Sequence, residues 1–463
     1  IPLPERGDRT GTAPALMVER RANVLYLLIV TCRRASRCSI RRHVDDVPVI
    51  EALMSKILRS FLTRFIRVGN LEIQPASGKP FTVGDGSGAP VSLRFVDTSA
   101  QWQFLRDPEL AFGELFMEQR LLVTRGTIYD ALVIGASNLL LPGNPKWLEF
   151  IQATRTRFRR WRQRNTKTSA KQNVAHHYDI DGRIYDLFLD ADKQYSCAYF
   201  EKPGDTLDDA QLAKKRHIAA KLLVEPGHRI LDIGCGWGGM ALYLAENCDA
   251  SVTGVTLSEE QHAIARARAE EGGLSSRAEF LLKDYRDVKE TFDRIVSVGM
   301  FEHVGLGYYD EYFRTVAKSL KPGGVALIHT IGNTGIPIPT NPWILKYIFP
   351  GGYVPAMSEM LPAIERAGLI VSDVEVLKLH YAETLRHWRE RFMARRAEAA
   401  AIQDERFCRM WEFYLSITEA SFRVGINVVF QFQLVKKVDA APMTRDYIEA
   451  REQDLLGKEL AKN

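Results

Sequence analysis

The sequence predicts an α/β protein: a doubly wound, Rossmann-like parallel sheet preceded by a smaller α+β unit. Three observations predict it. From about residue 213, strand-like runs alternate with helical ones. The first of these strands runs into a glycine-rich turn, Leu231-Asp-Ile-Gly-Cys-Gly-Trp-Gly-Gly239, a strand-to-helix turn that lets a ligand approach the backbone closely. Before residue 150 the pattern differs: one apolar-faced helix, then short β-like pieces between Gly and Pro turns.

In chain order, residues 1–50 read as a leader or an over-extended reading frame. The apolar run 24–30 is too short to span a bilayer, and Arg33, Arg34 and Arg37 follow it where a signal peptide has a small-residue cleavage site. The α+β unit takes 51–150. Leu53, Met54, Ile57, Leu58, Phe61, Leu62 and Phe65 recur at helical spacing over 51–66, a face suited to a core, a domain interface or a membrane surface. Strands are expected at 70–74, 81–83 and 91–95, and helices around 101–117 and 127–138. Residues 151–171 hold Arg155, Arg157, Arg159, Arg160, Arg162, Arg164, Lys167 and Lys171 without an acid, with Phe158 and Trp161 interleaved. A solvated linker and a segment lying on anionic headgroups both answer that pattern, and nucleic acid answers the same charge.

The larger domain is expected over 172–437. Its strands are read at 229–233, 251–255, 279–282, 294–298 and 325–330, with helices at 238–247, 259–271 and 309–320. Further strands are expected at 372–379, 422–424 and 428–435. Residues 438–463 are charged and read as a helical or loose tail.

The chain has 463 residues, 46% hydrophobic and 26% charged, with a formal charge of +5. That balance is ordinary for a globular protein, and too weak for a general polyanion-binding argument. Cys32, Cys38, Cys197, Cys235, Cys248 and Cys408 show neither a C-x-x-C pair nor zinc-ligand spacing, so they read as reduced thiols in a cytosolic protein, with no metal site.

The chemistry concentrates at strand ends. Gly234, Gly236 and Gly238 form the turn, with Cys235 and Trp237 between them. Such a turn alone suits a dinucleotide equally well. Asp232 favours S-adenosylmethionine, because its carboxylate pairs with the amino group of the methionine end and repels a pyrophosphate. Thr256, Leu257, Ser258 and Gln261 after the second strand offer hydroxyl, amide and apolar partners for ribose and adenine. Asp284 and Tyr285 after the third offer an acceptor and an aromatic face, although Asp284 also suits a helix cap.

Five motifs taken together resemble the cyclopropane-fatty-acyl-phospholipid synthase family, which includes the mycolic acid cyclopropane synthases. They are Tyr195-Ser-Cys-Ala-Tyr-Phe200, the glycine turn, Val252-Thr-Gly-Val-Thr-Leu-Ser258, Met300-Phe-Glu-His-Val-Gly305 and His329-Thr-Ile-Gly332. The resemblance covers about residues 51–437. It implies a class I methyltransferase domain, a smaller lipid-associated N-terminal domain, Tyr195 and Ser196 at the cofactor, and a homodimer at the inner face of a phospholipid membrane, with no nucleic acid partner. It also implies a bicarbonate base held by Glu302, His329 and Tyr381, with Cys197 and Ile331 contributing mainly through backbone.

The implied reaction transfers a methyl carbon to a cis alkene and closes a cyclopropane ring. A methyl-branched or methylene product shares the same first cation and stays open. A lipid- or nucleic-acid-binding module without catalysis is disfavoured by the intact Gly234, Gly236, Glu302 and His329. The Asn/Asp-Pro-Pro-aromatic motif of amino-group methylation is absent. The family often has a cysteine a few residues before a C-terminal Phe-Arg; Thr418 stands there, and no catalytic role is assigned to it. The Pro-rich stretch 336–342 and Phe349-Pro-Gly-Gly-Tyr353 suggest either a cover for an acyl chain or ordinary packing.

Overall fold

The computed structural model describes residues 47–143, 154–155 and 181–462. The leader expected over 1–50 therefore lies outside the described residues except for its last four, which belong to a helix. The basic segment 151–171 lies outside them apart from Thr154 and Arg155, as do Cys32 and Cys38. Of the first 53 residues only 47–53 are described, as the opening of the helix Val47–Phe65; a separate compact unit begins at Met54 and holds the rest of the chain.

Four short strands form the first sheet: β1 Leu71–Gln74, β2 Phe81–Val83, β3 Val91–Phe95 and β4 Leu121–Arg125, in the order β2-β1-β3-β4. Alternate residues of β1 and β2 are buried, as a half-buried sheet requires. Met54, Leu58, Phe61 and Leu62 of the first helix are buried in the same core. The helical stretch expected at 101–117 is two helices, Thr98–Arg106 and Pro108–Met117. Asp107 separates them because the residue before a proline avoids helical geometry, and its side chain caps the second helix at Leu110 N–H. The helix Ile128–Leu139 opens on a reciprocal cap between Thr127 and Asp130.

Seven strands form the second sheet: β5 Arg229–Ile233, β6 Ser251–Thr256, β7 Ala278–Leu282, β8 Phe292–Val298, β9 Leu320–Asn333, β10 Ile370–Val376 and β11 Asn427–Val435. Their order is β10-β11-β9-β8-β5-β6-β7, and β11 alone runs against the rest. The winding reverses between β5 and β8, so the crevice beyond their carboxyl ends is where such a sheet binds ligands.

One reading of the sequence is corrected. Residues 422–424 are not a strand but the end of the helix Glu405–Arg423, with Phe422 buried; they belong to a helical period that begins at the Asp404 cap. The charged C-terminal residues take the helical alternative. The helix Asp446–Leu460 packs on the helix Leu207–Lys221, and Glu459 accepts from Arg216 at 2.5 Å and from the Tyr243 hydroxyl at 2.6 Å.

The core of the first sheet is a cluster of its own, and it meets the neighbouring cluster at the partly buried Phe112 and Val123. Gly113 sits where a Cβ would lie 2.4 Å from Trp343 Nε1 and 2.7 Å from the Phe413 ring. Only glycine allows the helix Pro108–Met117 to approach the fully buried Trp343 this closely. Glu114 on the same helix accepts from Lys346 at 2.6 Å and from the Tyr347 hydroxyl at 3.0 Å.

Candidate active site

After β5 the backbone enters the left-handed region three times, at Gly234 (φ 81°), Gly236 (φ 55°) and Gly238 (φ 86°), which explains why side-chain-free residues stand there. Gly234 and Cys235 both donate their N–H groups to the Val255 carbonyl at 2.9 and 3.1 Å, fixing the turn to β6. A cavity of about 180 Å³ opens over this turn. It is lined by Asp232, Gly234, Cys235, Gly236 and Trp237 from β5 and its turn. Thr256, Leu257 and Gln261 line it from the β6 side, Asp284 and Tyr285 from the end of β7, and Tyr195 and Ser196 from the loop before the helix Leu207–Lys221.

Gly238 and Ser258 do not line the cavity. Gly238 packs towards Phe280 and Ala265, and Ser258 caps the helix Glu259–Glu271 by accepting from Gln261 N–H. Asp284 caps a single 3₁₀ turn and also binds the Arg286 guanidinium at 2.6 and 2.8 Å. Its carboxylate thus combines the cap with an ion pair at the cavity wall.

Asp232 is the unsatisfied group. It is buried, its Oδ2 has no hydrogen-bond partner, and burial pushes its carboxyl up to about 7 against the pull of Lys214. A buried bare carboxylate oxygen is costly, and an ammonium such as that of S-adenosylmethionine's methionine end would supply the missing donor. The residues therefore fit that molecule. Lys214, itself fully buried, donates to Gln194 Oε1 at 2.5 Å and to Ser196 Oγ at 2.9 Å, and so holds the loop that closes this side. Sequence reasoning missed both Lys214 and Gln194, because nothing local distinguishes a buried lysine on a charged helix.

A second, larger cavity of about 520 Å³ meets the first. Tyr195, Ser196, Gly299 and His303 line both. Beyond these shared residues the large cavity is chiefly apolar and extends into the core of the first sheet, where Phe61, Ile73, Leu93 and Phe95 line it. Phe413, Ile417 and Phe422 line it from the helix Glu405–Arg423. Residues 338–341 and Phe349 line it as well, so the Pro-rich stretch forms part of its wall. Leu140 and Ile338 line the cavity and are also exposed, which marks its mouth.

The polar pole of this cavity brings together Glu302, His329, Cys197, Ile331 and Tyr381. Glu302 Oε1 accepts from the Ile331 N–H at 2.6 Å, while Oε2 is buried without a partner. Burial pushes Glu302 up to about 7, opposed by the Ile331 hydrogen bond. His329 is held well below the usual imidazole range by burial and by the nearby Lys214 and Lys221, and is neutral. Its Nδ1 lies 3.2 Å from Gln431 Nε2, and its Nε2 is buried without a partner. The Ile331 N–H, expected to serve the anion, is committed to Glu302. Burial raises the Cys197 thiol, which points to the Ala198 carbonyl, so it is no thiolate. Thr418 also lines the cavity, yet its hydroxyl donates to the Tyr414 carbonyl one turn back.

His303 was missed as a site residue although it stands beside Glu302 in the same motif. Burial alone holds it down to about 4. Among the described residues no group of three or more His, Cys, Asp or Glu side chains is placed to hold a metal ion, and no helix is long and apolar enough to cross a membrane.

A sequence model of the family described as mycolic acid cyclopropane synthetase matches residues 165–432. The cyclopropane-fatty-acyl-phospholipid synthase of Escherichia coli K12 is 47% identical over 247 residues, which are 53% of this chain and 63% of that protein. The match therefore spans a little under two thirds of that relative's length. The tuberculostearic acid methyltransferase UfaA1 of Mycobacterium tuberculosis H37Rv is 36% identical over 341 residues, 71% of this chain and 79% of that protein. Among solved structures, the mycolic acid cyclopropane synthase CmaA1 complexed with SAH and CTAB superposes with a TM-score of 0.55 at 34% identity, over 57% of this chain and 97% of that one. The seven-stranded sheet, its strand order and these matches together show a class I methyltransferase fold in a chain that belongs to the mycolic acid cyclopropane synthetase family.

Proposed function

We propose that the protein alkylates the cis double bond of an unsaturated phospholipid acyl chain with the methyl carbon of S-adenosylmethionine and closes a cyclopropane ring. One observation carries this reading. A chiefly apolar cavity shares four lining residues with the cavity over the glycine turn, and its own lining includes Glu302 and His329, whose Oε2 and Nε2 are buried without a partner.

S-adenosylmethionine supplies an electrophilic methyl carbon. An isolated alkene has no proton to lose beforehand, so its alkylation leaves positive charge on the chain, and ring closure removes a proton from the new methyl group. The site needs a base and negative charge in a dry slot. Glu302 Oε2 would accept the hydroxyl proton of a hydrogen carbonate and His329 Nε2 would donate to one of its oxygens; the anion would supply the base. The hydroxyl-bearing Tyr381 lines the same pole. The exposed Leu140 and Ile338 at the mouth, with Ile336 nearby in sequence and 81% exposed, suit entry of the chain from a lipid surface.

The relation to a tuberculostearic acid methyltransferase supports a second reading, C-methylation of the same alkene to a methylene chain by proton loss from the cation, or to a methyl-branched chain where a separate hydride donor reduces it. Expression in bacteria lacking such an enzyme, followed by mass spectrometry and proton NMR of lipid methyl esters, separates the two. Gain of one CH2 with loss of olefinic signal and appearance of cyclopropyl protons supports the first. A methyl doublet or an exomethylene signal supports the second. An unchanged lipid profile from folded, cofactor-binding protein overturns both.

A further inference from the structure

His329 on β9, Gln431 on β11 and Glu375 on β10 are direct cross-strand partners, His329 with Gln431 and Gln431 with Glu375. They form one row across three neighbouring strands, leading away from the cavity. Lys221 at the end of the helix Leu207–Lys221 is fully buried beside this row. Its Nζ donates to Gln431 Oε1 at 3.0 Å and to Glu375 Oε2 at 2.5 Å, with Asp373 Oδ2 at 3.8 Å. Glu375 Oε2 also meets His217 Nε2 at 2.7 Å, and His217 Nδ1 meets Glu452 Oε1 at 2.5 Å. The Tyr199 ring stacks on His217 at 4.2 Å. The line thus runs from half-buried Glu452 on the C-terminal helix to the cavity, through His217, Glu375, Lys221, Gln431 and His329.

We propose that Lys221 and Gln431 are positioning residues that hold His329 as the tautomer carrying its proton on Nε2. The reasoning is stereochemical. Two carboxylates keep Lys221 an ammonium, which has three donors and no acceptor, so the amide oxygen of Gln431 must face it. The amide NH2 is then left facing His329 Nδ1 at 3.2 Å, and a nitrogen that receives a donor cannot carry a proton itself. In the neutral ring the proton must sit on Nε2, the atom left buried without a partner in a residue that lines the cavity. Were the amide reversed, Nδ1 would carry the proton and Nε2 would offer a lone pair to an anion, which repels it. The helix Asp446–Leu460 takes part in this arrangement through Glu452 and His217.

The catalytic consequence rests on the function proposed above; the tautomer does not, and the test separates them. The full chain is labelled with 15N-histidine, and long-range 1H–15N spectra are recorded at mildly alkaline pH, with His329 assigned by its loss in His329→Gln. The wild-type ring is expected to show protonated Nε2 and unprotonated Nδ1; the reverse pattern overturns the proposal even if no variant folds. In Gln431→Glu, which keeps the shape and offers only acceptors, Nδ1 is expected to become protonated. An unchanged Nδ1 in that variant overturns the proposal, because a merely structural glutamine would not move it. With Nε2 no longer a donor, kcat should fall on the order of 10²-fold, with KM for S-adenosylmethionine unchanged. If the wild-type protein makes no lipid product but shows the Nε2–H ring, the proposed reaction fails and the positioning stands.

Discussion

The backbone N–H of Ile331 donates to Glu302 Oε1 at 2.6 Å, so one oxygen of this carboxylate is tied to β9 while the other is buried without a partner in a residue that lines the large cavity. The pairing joins the short turn after β8 to the neighbouring strand. It fixes the direction in which Glu302 accepts a proton, and it makes the residue's charge depend on what occupies the cavity.

Glu302→Gln keeps the acceptor for Ile331 and removes the proton acceptor. Turnover of unsaturated phospholipid should fall roughly 10²- to 10⁴-fold, with S-adenosylhomocysteine binding retained in calorimetry. In the wild-type protein Glu302 accepts only as the carboxylate, and its value stands at about 7. The rate should therefore rise with pH through that value and level off above it. A rate independent of pH across this range would remove Glu302 from the proton-accepting role.

Glu302 and Asp232 both stand near 7, raised by burial from ordinary values of 4.5 and 3.8. A carboxyl whose folded value is raised binds more protons folded than unfolded. Its contribution to stability is thus full below the ordinary value and is lost as pH rises through the folded one. The ligand-free protein should melt at progressively lower temperature from about pH 4 to above pH 7, a trend that Glu302→Gln combined with Asp232→Asn flattens. Asp232→Asn alone should weaken S-adenosylhomocysteine roughly 10- to 100-fold. Thermal scans and calorimetry check both.

Gly135 lies in the helix Ile128–Leu139, lines the large cavity, and has nothing within 4 Å of where its Cβ would stand. Gly135→Leu should gain roughly 0.5–1 kcal/mol of helix stability and fill part of the slot. The expected outcome is a higher melting temperature with reduced turnover, the loss being greater for longer acyl chains. Equal loss for all chains would show that this arm of the cavity holds no part of the chain.

Thr418 lines the large cavity, and its hydroxyl donates to the Tyr414 carbonyl on its own helix. Thr418→Val and Thr418→Cys should leave kcat and its pH profile unchanged. A large loss in the valine variant alone would give the hydroxyl a part in the reaction.

The cofactor half of the site was legible because its residues sit next to strand ends. Gly234, Asp232 and Thr256 are read from an alternating pattern followed by a turn, and strand period and turn stereochemistry act within a few residues. The apolar face of Met54, Leu58, Phe61 and Leu62 was legible for the same reason. Residues 422–424 misled because Phe-Arg-Val alternates as a half-buried strand does and equally suits a helix end, and the helix's long apolar face settled the matter.

By itself, then, the sequence determined the α/β class, the glycine turn with its carboxylate, and Glu302 and His329 as candidate polar residues after β8 and in β9. Tertiary structure alone decided that Phe61 and Phe413 line one cavity, and that Ile331 belongs to Glu302. It also decided that Lys221 and Gln431 stand behind His329. Those pairings depend on strand order and register, and on helices docking from distant parts of the chain; propensities acting over a few residues contain no trace of them.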